Sequence, residues 1–220
     1  MLNIKVFCVN MMHENTYVVS DETGECVIID CGCRDQAEKE ALADYVAANN
    51  LKPVRLVCTH FHLDHIFGNQ FVQDSFGLQA EINPADRILS EMQHFQAVAF
   101  GLGEEDAQAP EPKLTLEDGA KVTFGNSELT VIATPGHSPG GVSLYSEKEG
   151  VVFTGDTLMQ GAYGAVNLPG GRLSKIYKSI MERLFTLPAE TRVFAGHGVE
   201  TTIGVEKESN PILVAEVKKK

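Results

Sequence analysis

The sequence lacks tryptophan and any long apolar run, and these absences exclude several kinds of protein. Aromatic residues make up only 7% of the 220 residues, so a core must be built mainly from Val, Ile, Leu, Ala and Phe. No segment approaches the ~18 consecutive apolar residues of a membrane-spanning helix. The first fifteen residues become polar almost at once, unlike a secretory signal peptide. We therefore expect a cytoplasmic protein with no membrane partner.

An excess of positive charge is also missing. The chain carries 30 acidic and 18 basic residues, for a formal net charge of −12. Nucleic-acid backbones and anionic membrane surfaces bind basic patches, so neither is expected as the main partner. Divalent cations bound to the chain would offset part of this negative charge locally.

The five cysteines contain no CxxC pair, and all of them lie in the first 58 residues. Three occupy apolar, strand-like runs and are expected to be buried, reduced thiols in a cytosolic protein; they are Cys8, Cys26 and Cys58. Cys31 and Cys33 flank Gly32 in a predicted turn. A redox or metal-binding role for this pair is the alternative to a structural one.

Strand-like and helix-like patterns occur in both halves of the chain. Strands are predicted for residues 3–9, 16–20, 26–30, 54–58, 78–82, 121–124, 128–133, 141–145, 151–153 and 192–195. Helices are predicted for residues 35–50, 68–76, 83–100 and 174–187 and for a segment after His197. Residues 101–112 read as a surface loop, and Lys218 to Lys220 as a solvated tail.

This mixture predicts an α+β protein. Two mixed sheets packed face to face, with helices outside, would form a four-layer αββα sandwich. A length of 220 residues suits one domain, so we expect residues 1–220 to form a single domain. Asp35 is the expected N-cap of the first helix, with Glu38 completing a capping box.

Residues 59–65 read THFHLDH and hold more metal-ligand types than any other stretch. Three histidines and one aspartate fall within six positions, directly after an apolar run. Imidazole nitrogens and carboxylate oxygens are ligands for Zn²⁺, Fe²⁺ or Mn²⁺. The motif therefore predicts a metal site, provided that other segments complete it.

Four strand-like runs end at a ligand type: His60, His137, Asp156 and His197. Residues at strand ends can converge on one rim of a sheet. Of the seven histidines, five belong to this set: His60, His62, His65, His137 and His197. His13 and His94 are assigned structural roles, and His94 lies in a predicted helix far from any other ligand cluster.

The ligand types sort into two groups of three. One would contain His60, His62 and His137, and the other Asp64, His65 and His197. Asp156 remains and could bridge two ions ~3.5–4 Å apart. Three protein ligands per ion leave an open position, which is typical of a catalytic site. Asp30, at the end of a predicted strand, could brace its turn, orient a ligand from behind, or do both.

Together with CVIIDCG, TPGHSPGG, VVFTGDTL, LPGG and FAGHG, these ligands resemble the metallo-β-lactamase superfamily over essentially the whole chain. Within it the chain resembles the short glyoxalase II-like hydrolases. The resemblance implies two divalent ions, zinc before iron or manganese, and catalytic roles for Asp64 and Asp156. It also implies hydrolysis of small-molecule S-acyl thioesters, of the glutathione type, by a metal-bridging hydroxide. True β-lactamases of the superfamily usually lack the bridging aspartate, which disfavours antibiotic hydrolysis.

Two features depart from that family pattern. Glutathione enzymes place a basic residue nine positions after the bridging aspartate, where this chain has Ala165. Their C-terminal helical extension is also missing, since 23 residues follow His197. The substrate is expected between residues 157–171 and residues 95–103, with Tyr163, Asn167 and Arg172 as polar candidates.

Three alternatives to a thioesterase stay open. A mononuclear iron persulfide dioxygenase would use His60 or His62 with His137 and Asp156. A phosphodiesterase or nuclease of the same fold would favour a basic surface, which this acidic chain does not have. A metal-binding protein without hydrolase activity would not need open coordination positions.

Overall fold

The computed structural model describes residues 1–215 and contains two six-stranded sheets. The first sheet has the strand order β1-β2-β3-β4-β5-β6; its strands are β1 (Asn3–Val9), β2 (Glu14–Ser20), β3 (Glu25–Ile29), β4 (Lys52–Val57), β5 (Ala80–Ile82) and β6 (Lys113–Leu114). Strands β1 to β3 are antiparallel, and β3 to β6 are parallel. The predicted opening meander is confirmed.

The second sheet has the order β14-β13-β10-β9-β8-β7. Its strands are β7 (Lys121–Phe124), β8 (Ser127–Ala133), β9 (Val142–Ser146), β10 (Val151–Gly155), β13 (Arg192–Ala195) and β14 (Thr201–Thr202). A small hairpin, β11 (Leu158–Met159) with β12 (Ala162–Tyr163), follows β10. Strands β10 and β13 are parallel neighbours, so their carboxyl ends meet at one edge of the sheet.

Helices cover the outer face of each sheet. They are α1 (Gln36–Ala48), α2 (Asn69–Phe76), α3 (Arg87–Glu91), α4 (Gln93–Ala99), α5 (Leu173–Lys178) and α6 (Ile203–Ser209). One core packs α1 to α4 against the first sheet, a second lies between the sheets, and a third packs α5 and α6 under the second sheet. This is the predicted αββα layering.

Helix α1 illustrates how local sequence fixes an element. The Asp35 carboxylate accepts a hydrogen bond from the Glu38 N–H at 2.9 Å, and the Glu38 side chain returns to the Asp35 N–H at 3.2 Å. This is the predicted capping box. Leu42 and Val46 form the buried face of the helix.

The prediction of one continuous helix over residues 83–100 was wrong. The chain forms a 3₁₀ turn, Pro84–Asp86, and then α3 and α4, which are separated by Met92. The Met92 N–H bonds to the Leu89 carbonyl at 3.1 Å, and the Gln96 side chain donates to the same carbonyl at 3.0 Å. These bonds replace the α-helical pattern at that point.

Other boundaries and burials also differ from the predictions. The helix predicted for residues 174–187 is α5 followed by a π-helical turn, Ser179–Leu184, after which the Phe185 N–H donates to the Ile180 carbonyl, five residues back, at 2.8 Å. Pro53 lies within β4 next to a register shift, a position that strands tolerate. Cys8 is exposed and not buried, because β1 is an edge strand of the first sheet.

Two further observations concern the predicted surroundings of the chain. No helix within residues 1–215 is long and apolar enough to cross a membrane. The predicted solvated tail, Lys218 to Lys220, lies outside the described residues.

Candidate metal centre

Each predicted ligand follows a strand whose carboxyl end points to the same edge of the sandwich. The loop after β4 carries His60, His62, Asp64 and His65, while His137, Asp156 and His197 follow β8, β10 and β13. Backbone hydrogen bonds join the two sides of this edge. The Val142 N–H donates to the Thr59 carbonyl at 2.9 Å, and the Asn15 N–H to the Gly196 carbonyl at 2.7 Å.

The first ligand group is His60, His62 and His137. Their ligand nitrogens lie within 4.8 Å of one another, and all three residues are buried. His62 Nδ1 is 2.9 Å from His137 Nε2. Two imidazole nitrogens at this separation can coordinate one ion at the usual ~2.0–2.1 Å.

The second group is Asp64, His65 and His197, whose ligand atoms also fall within 4.8 Å of one another. Asp64 Oδ2 is 3.2 Å from His197 Nε2 and 3.6 Å from His65 Nε2. His197 is the most exposed of the three, with 24% of its side chain accessible. Solvent therefore reaches this group on the His197 side.

Asp156 lies between the two groups. Its Oδ2 is 3.5 Å from His137 Nε2 and 3.6 Å from His197 Nε2, and its Oδ1 is 3.5 Å from His65 Nε2. One carboxylate thus touches histidines of both groups, as a bridging ligand must. Gly196 permits this approach, because a Cβ there would collide with Asp156 Oδ1 and with the His65 ring.

Four histidines have their outer Nδ1 atoms within hydrogen-bonding distance of protein oxygens. The His137 Nδ1 lies 2.8 Å from the Ala165 carbonyl, and the His197 Nδ1 lies 3.1 Å from the Met12 carbonyl. The same nitrogen of His65 is 3.2 Å from Asp30 Oδ2, and that of His60 is 3.2 Å from Thr59 Oγ1. Such outer contacts fix the ring orientation and direct Nε2 to the centre.

Three buried atoms at the centre have no hydrogen-bond partner within residues 1–215: His60 Nε2, His65 Nε2 and Asp156 Oδ1. An unpartnered buried polar atom is costly unless something binds it. All three belong to the predicted ligand set and are chemically suited to a divalent cation. The residues present therefore fit a metal centre.

Two histidines of the first group, His60 and His62, favour the neutral form that a metal requires. Burial, followed by the neighbouring His137, lowers the pKa of His62 to about 3. Burial and the surrounding histidines also hold the pKa of His60 well below its usual range.

The second group is dominated by negative charge. Burial acts to lower the pKa of His65, but the Asp64 and Asp156 carboxylates outweigh it and raise that pKa well above its usual value. Burial likewise acts to raise the pKa of Asp156, yet His65 and the other histidines lower it. These carboxylates need a positive charge beside them, which a bound cation would supply.

Asp30 fulfils both roles considered for it. Its carboxylate accepts hydrogen bonds from the Thr59 N–H and hydroxyl, each at 2.6 Å, and lies 3.2 Å from His65 Nδ1. It therefore braces the turn that carries the motif and contacts a ligand from behind. Its φ of 52° is left-handed, a conformation that Asp adopts more readily than most residues.

The turn between β1 and β2 and the start of β2 contact the second group. These contacts were not predicted from the sequence. The Asn10 side chain donates to the Asp64 carbonyl at 2.9 Å, and the Met12 carbonyl contacts His197. Glu14 is fully buried, with Oε1 3.7 Å from His65 Nδ1. No spacing pattern distinguishes Glu14 in the sequence, because it is a single carboxylate in a polar segment.

Asp86 is a second functional residue that the sequence did not reveal. Its buried carboxylate accepts hydrogen bonds from the Phe61 N–H at 3.2 Å, the Ser138 hydroxyl at 2.9 Å and the Gly140 N–H at 2.5 Å. It therefore joins the loop of His60 and His62 to the loop of His137. The sequence identified it only as part of a helix start.

The predicted substrate walls lie beside the first group. A cavity next to His62 is lined from both predicted regions, by Phe95, Phe100 and Leu168 among others. Of the polar candidates, Tyr163 packs against the core under the second sheet, and Asn167 is exposed. The Arg172 N–H donates to the Gly136 carbonyl at 2.7 Å. The Ala165 side chain is exposed, and its carbonyl is the partner of His137.

Comparison with known proteins gives consistent matches over almost the whole chain. A family model described as the metallo-beta-lactamase superfamily matches residues 10–197. Hydroxyacylglutathione hydrolase GloC of Haemophilus influenzae is 32% identical over 213 residues, covering 96% of this chain and 98% of that protein.

Solved structures resemble the chain to a similar degree. The BLEG-1 B3 metallo-beta-lactamase superposes with a TM-score of 0.85 at 33% identity, covering 97% of this chain and all of that one. The di-iron-bound form of TTHA1623 gives a TM-score of 0.79 at 35% identity, covering 94% and 98%. The predicted sandwich is thus confirmed.

Proposed function

The chain belongs to the metallo-β-lactamase superfamily, and we propose that it is a dinuclear metallo-hydrolase that cleaves S-acyl thioesters of glutathione or a similar small thiol. The observation that carries this proposal is the position of Asp156. Its carboxylate lies 3.5–3.6 Å from histidines of both ligand groups. A carboxylate shared in this way could serve two adjacent ions of a two-metal site.

The first ion would be held by His60, His62 and His137, the second by Asp64, His65 and His197, and both by Asp156. A bound pair of divalent cations supplies a water of lowered pKa and polarises the substrate carbonyl. The chain supplies the orientation of the rings through Ala165, Met12, Asp30 and Thr59. Asp64 and Asp156 are proposed as the catalytic carboxylates, ionised beside the histidines.

A thioester suits this site because the site needs no separate acid for the leaving group. A thiol has a pKa of about 8.5, so a thiolate departs with little protonation. The ligand set offers carboxylates and neutral imidazoles around an opening on the His197 side. The likeness to the Haemophilus influenzae hydroxyacylglutathione hydrolase supports the same substrate class.

We propose zinc as the working metal and the cytoplasm as the location. His, Asp and no Cys in the ligand set suit zinc, and iron would use the same atoms. The di-iron form of TTHA1623 makes iron the first alternative to test. All five cysteines are free thiols, as expected in a reducing compartment.

Hydrolysis of β-lactams is a second candidate, favoured by the likeness to BLEG-1. The position of Asp156 between the two groups favours thioester hydrolysis over β-lactam hydrolysis, because true β-lactamases of the superfamily usually lack this aspartate. A chromogenic cephalosporin assayed beside the thioester would separate the two activities.

The direct test is hydrolysis of S-lactoylglutathione by the zinc-loaded protein and by a His62→Ala variant. We expect the wild type to release thiol and His62→Ala to lose at least about 10³-fold in kcat/KM, because the first ion loses a ligand. His94→Ala is the matched control, since His94 is exposed on α4 away from the ligand groups.

Two results would contradict the proposal. Undiminished turnover by a folded His62→Ala variant would show that the site is misassigned. Oxygen consumption with glutathione persulfide by a protein holding one iron per chain, without thioester turnover, would identify the mononuclear dioxygenase instead.

A further inference from the structure

A cavity of about 150 Å³ opens beside His62. Its walls come from the helices α3 and α4 and from the loop before α5. Apolar side chains form most of this lining: Leu89, Met92, Phe95, Ala99, Phe100 and Leu168. An engineered apolar cavity of about this volume binds benzene, so the space matches one aromatic ring or a chain of about six carbons.

No charged side chain lines this cavity among residues 1–215, although the chain carries a net charge of −12. Its one amide side chain, Gln96, is turned to the protein. The Gln96 Nε2 donates to the Phe61 carbonyl at 3.3 Å and to the Leu89 carbonyl at 3.0 Å. The Gln96 Oε1 is buried and has no hydrogen-bond partner within residues 1–215. A charged group would lose its hydration in this space without gaining an oppositely charged partner.

The cavity borders the metal centre at His62. The His62 imidazole lines the cavity and lies with Nδ1 2.9 Å from His137 Nε2. A group that fills the cavity therefore ends next to the first ligand group. The carbonyl of a thioester must reach the metals. The cavity beside them can therefore accept the acyl chain that is attached to this carbonyl.

We propose that this cavity is the acyl-group site and that the enzyme prefers thioesters whose acyl group is apolar and about six carbons long or phenyl-sized. The proposal rests on the thioesterase function proposed above. It assigns the apolar acyl chain to the α3–α4 side of the centre, and it leaves the charged carrier thiol outside the cavity.

An acyl series on one carrier tests the preference. We expect kcat/KM for acetyl-, butyryl- and hexanoylglutathione to rise by about fourfold per methylene, since burying one CH₂ contributes ~0.8 kcal/mol. Phenylacetylglutathione should match the hexanoyl compound, and decanoylglutathione should bring no further rise, because the cavity is then full.

A variant in which a larger side chain fills the cavity can be compared with a control variant that has the same substitution outside it. Ala99 lines the cavity and is exposed enough to accept a larger side chain. Ala99→Phe should remove the preference for hexanoyl over acetyl, so the readout is the ratio of kcat/KM for hexanoylglutathione to kcat/KM for acetylglutathione. Val98→Phe is the control, because Val98 is 63% exposed and is not part of the lining.

Binding of S-hexylglutathione and S-methylglutathione, measured by calorimetry, gives a readout that does not need turnover. We expect the hexyl compound to bind at least tenfold tighter, and Ala99→Phe but not Val98→Phe to abolish the difference. Equal affinities, or equal effects of the two variants, would overturn the acyl-site proposal. Failure to cleave any thioester while this binding pattern holds would overturn only the proposed reaction.

Discussion

Each ligand histidine apart from His62 is oriented by an oxygen atom on the side facing away from the centre. Within residues 1–215, Asp30 is the only carboxylate that does this within hydrogen-bonding distance, and it also holds the Thr59 backbone. The other oxygens are two backbone carbonyls and the Thr59 hydroxyl. Asp30 is therefore the side chain outside the ligand set whose charge bears most directly on the metal.

Replacing Asp30 with Asn should weaken metal binding without unfolding the chain. Asn tolerates the left-handed backbone of this position and keeps one oxygen acceptor, but it removes the negative charge behind His65. We expect the affinity for the second ion to fall by about 10–100-fold, measured by competition with a chromogenic chelator.

The control for this experiment is Asp44→Asn, which removes the same charge from an exposed position on α1. Equal metal affinities for the Asp30 variant and this control would show that Asp30 serves the turn alone.

At this scale the sequence predicts ligands better than it predicts their supports. The seven predicted ligands, which the structure brings together, stand out in the sequence because four of them share one short motif and the others follow strands. Glu14 and Asp86 were not, because each is a lone carboxylate whose neighbours become apparent only in three dimensions. The partners of His137 and His197 are backbone carbonyls, which any residue type would provide.

Among the elements, the two loops that carry the first ligand group depend on one buried carboxylate. Asp86 accepts hydrogen bonds from Phe61, Ser138 and Gly140. Burial raises its pKa to about 6, although the three hydrogen bonds act in the opposite direction. The folded protein therefore holds a proton on Asp86 at pH values where the unfolded chain has released it.

The sign of the resulting pH dependence follows from this difference. Between about pH 4 and pH 6 the native state binds more protons than the unfolded state. The contribution of Asp86 to the free energy of unfolding therefore falls as the pH rises through this interval, and it is constant above about pH 6. Relative to Asp86→Asn, the wild type should lose roughly 3 kcal/mol of unfolding free energy across that interval.

Urea unfolding at pH 4, 5, 6 and 7, with chelator present throughout, measures this difference. The chelator removes the pH dependence of metal binding from both proteins. A difference between wild type and Asp86→Asn that stays constant from pH 4 to pH 7 would contradict a raised pKa for Asp86.

Strand and helix positions were largely predictable because apolar periodicity and capping are local. The break at Met92 was not, since it depends on the Gln96 side chain and the Leu89 carbonyl meeting in the folded chain. The same break shapes the cavity that we assign to the acyl group. The π-helical turn after α5 was not predicted either, and its first residue, Ser179, contacts Pro135 from another loop.

At the scale of the whole molecule, neither sheet alone supplies a complete candidate metal site within residues 1–215. Each ligand group takes two residues from the loop after β4 in the first sheet and one residue from a strand end of the second sheet. An ion held by either group would therefore join the two sheets. That residues 1–220 form one domain stays a prediction.

The measurement that tests the central claim most directly is a zinc titration of the metal-free protein, followed by thiol release from S-lactoylglutathione. Because Asp156 joins two complete ligand groups, we predict that activity rises until two zinc ions are bound per chain and then stays constant. Activity that is already maximal with one ion per chain, or thiol release that zinc does not restore, would contradict a dinuclear thioesterase.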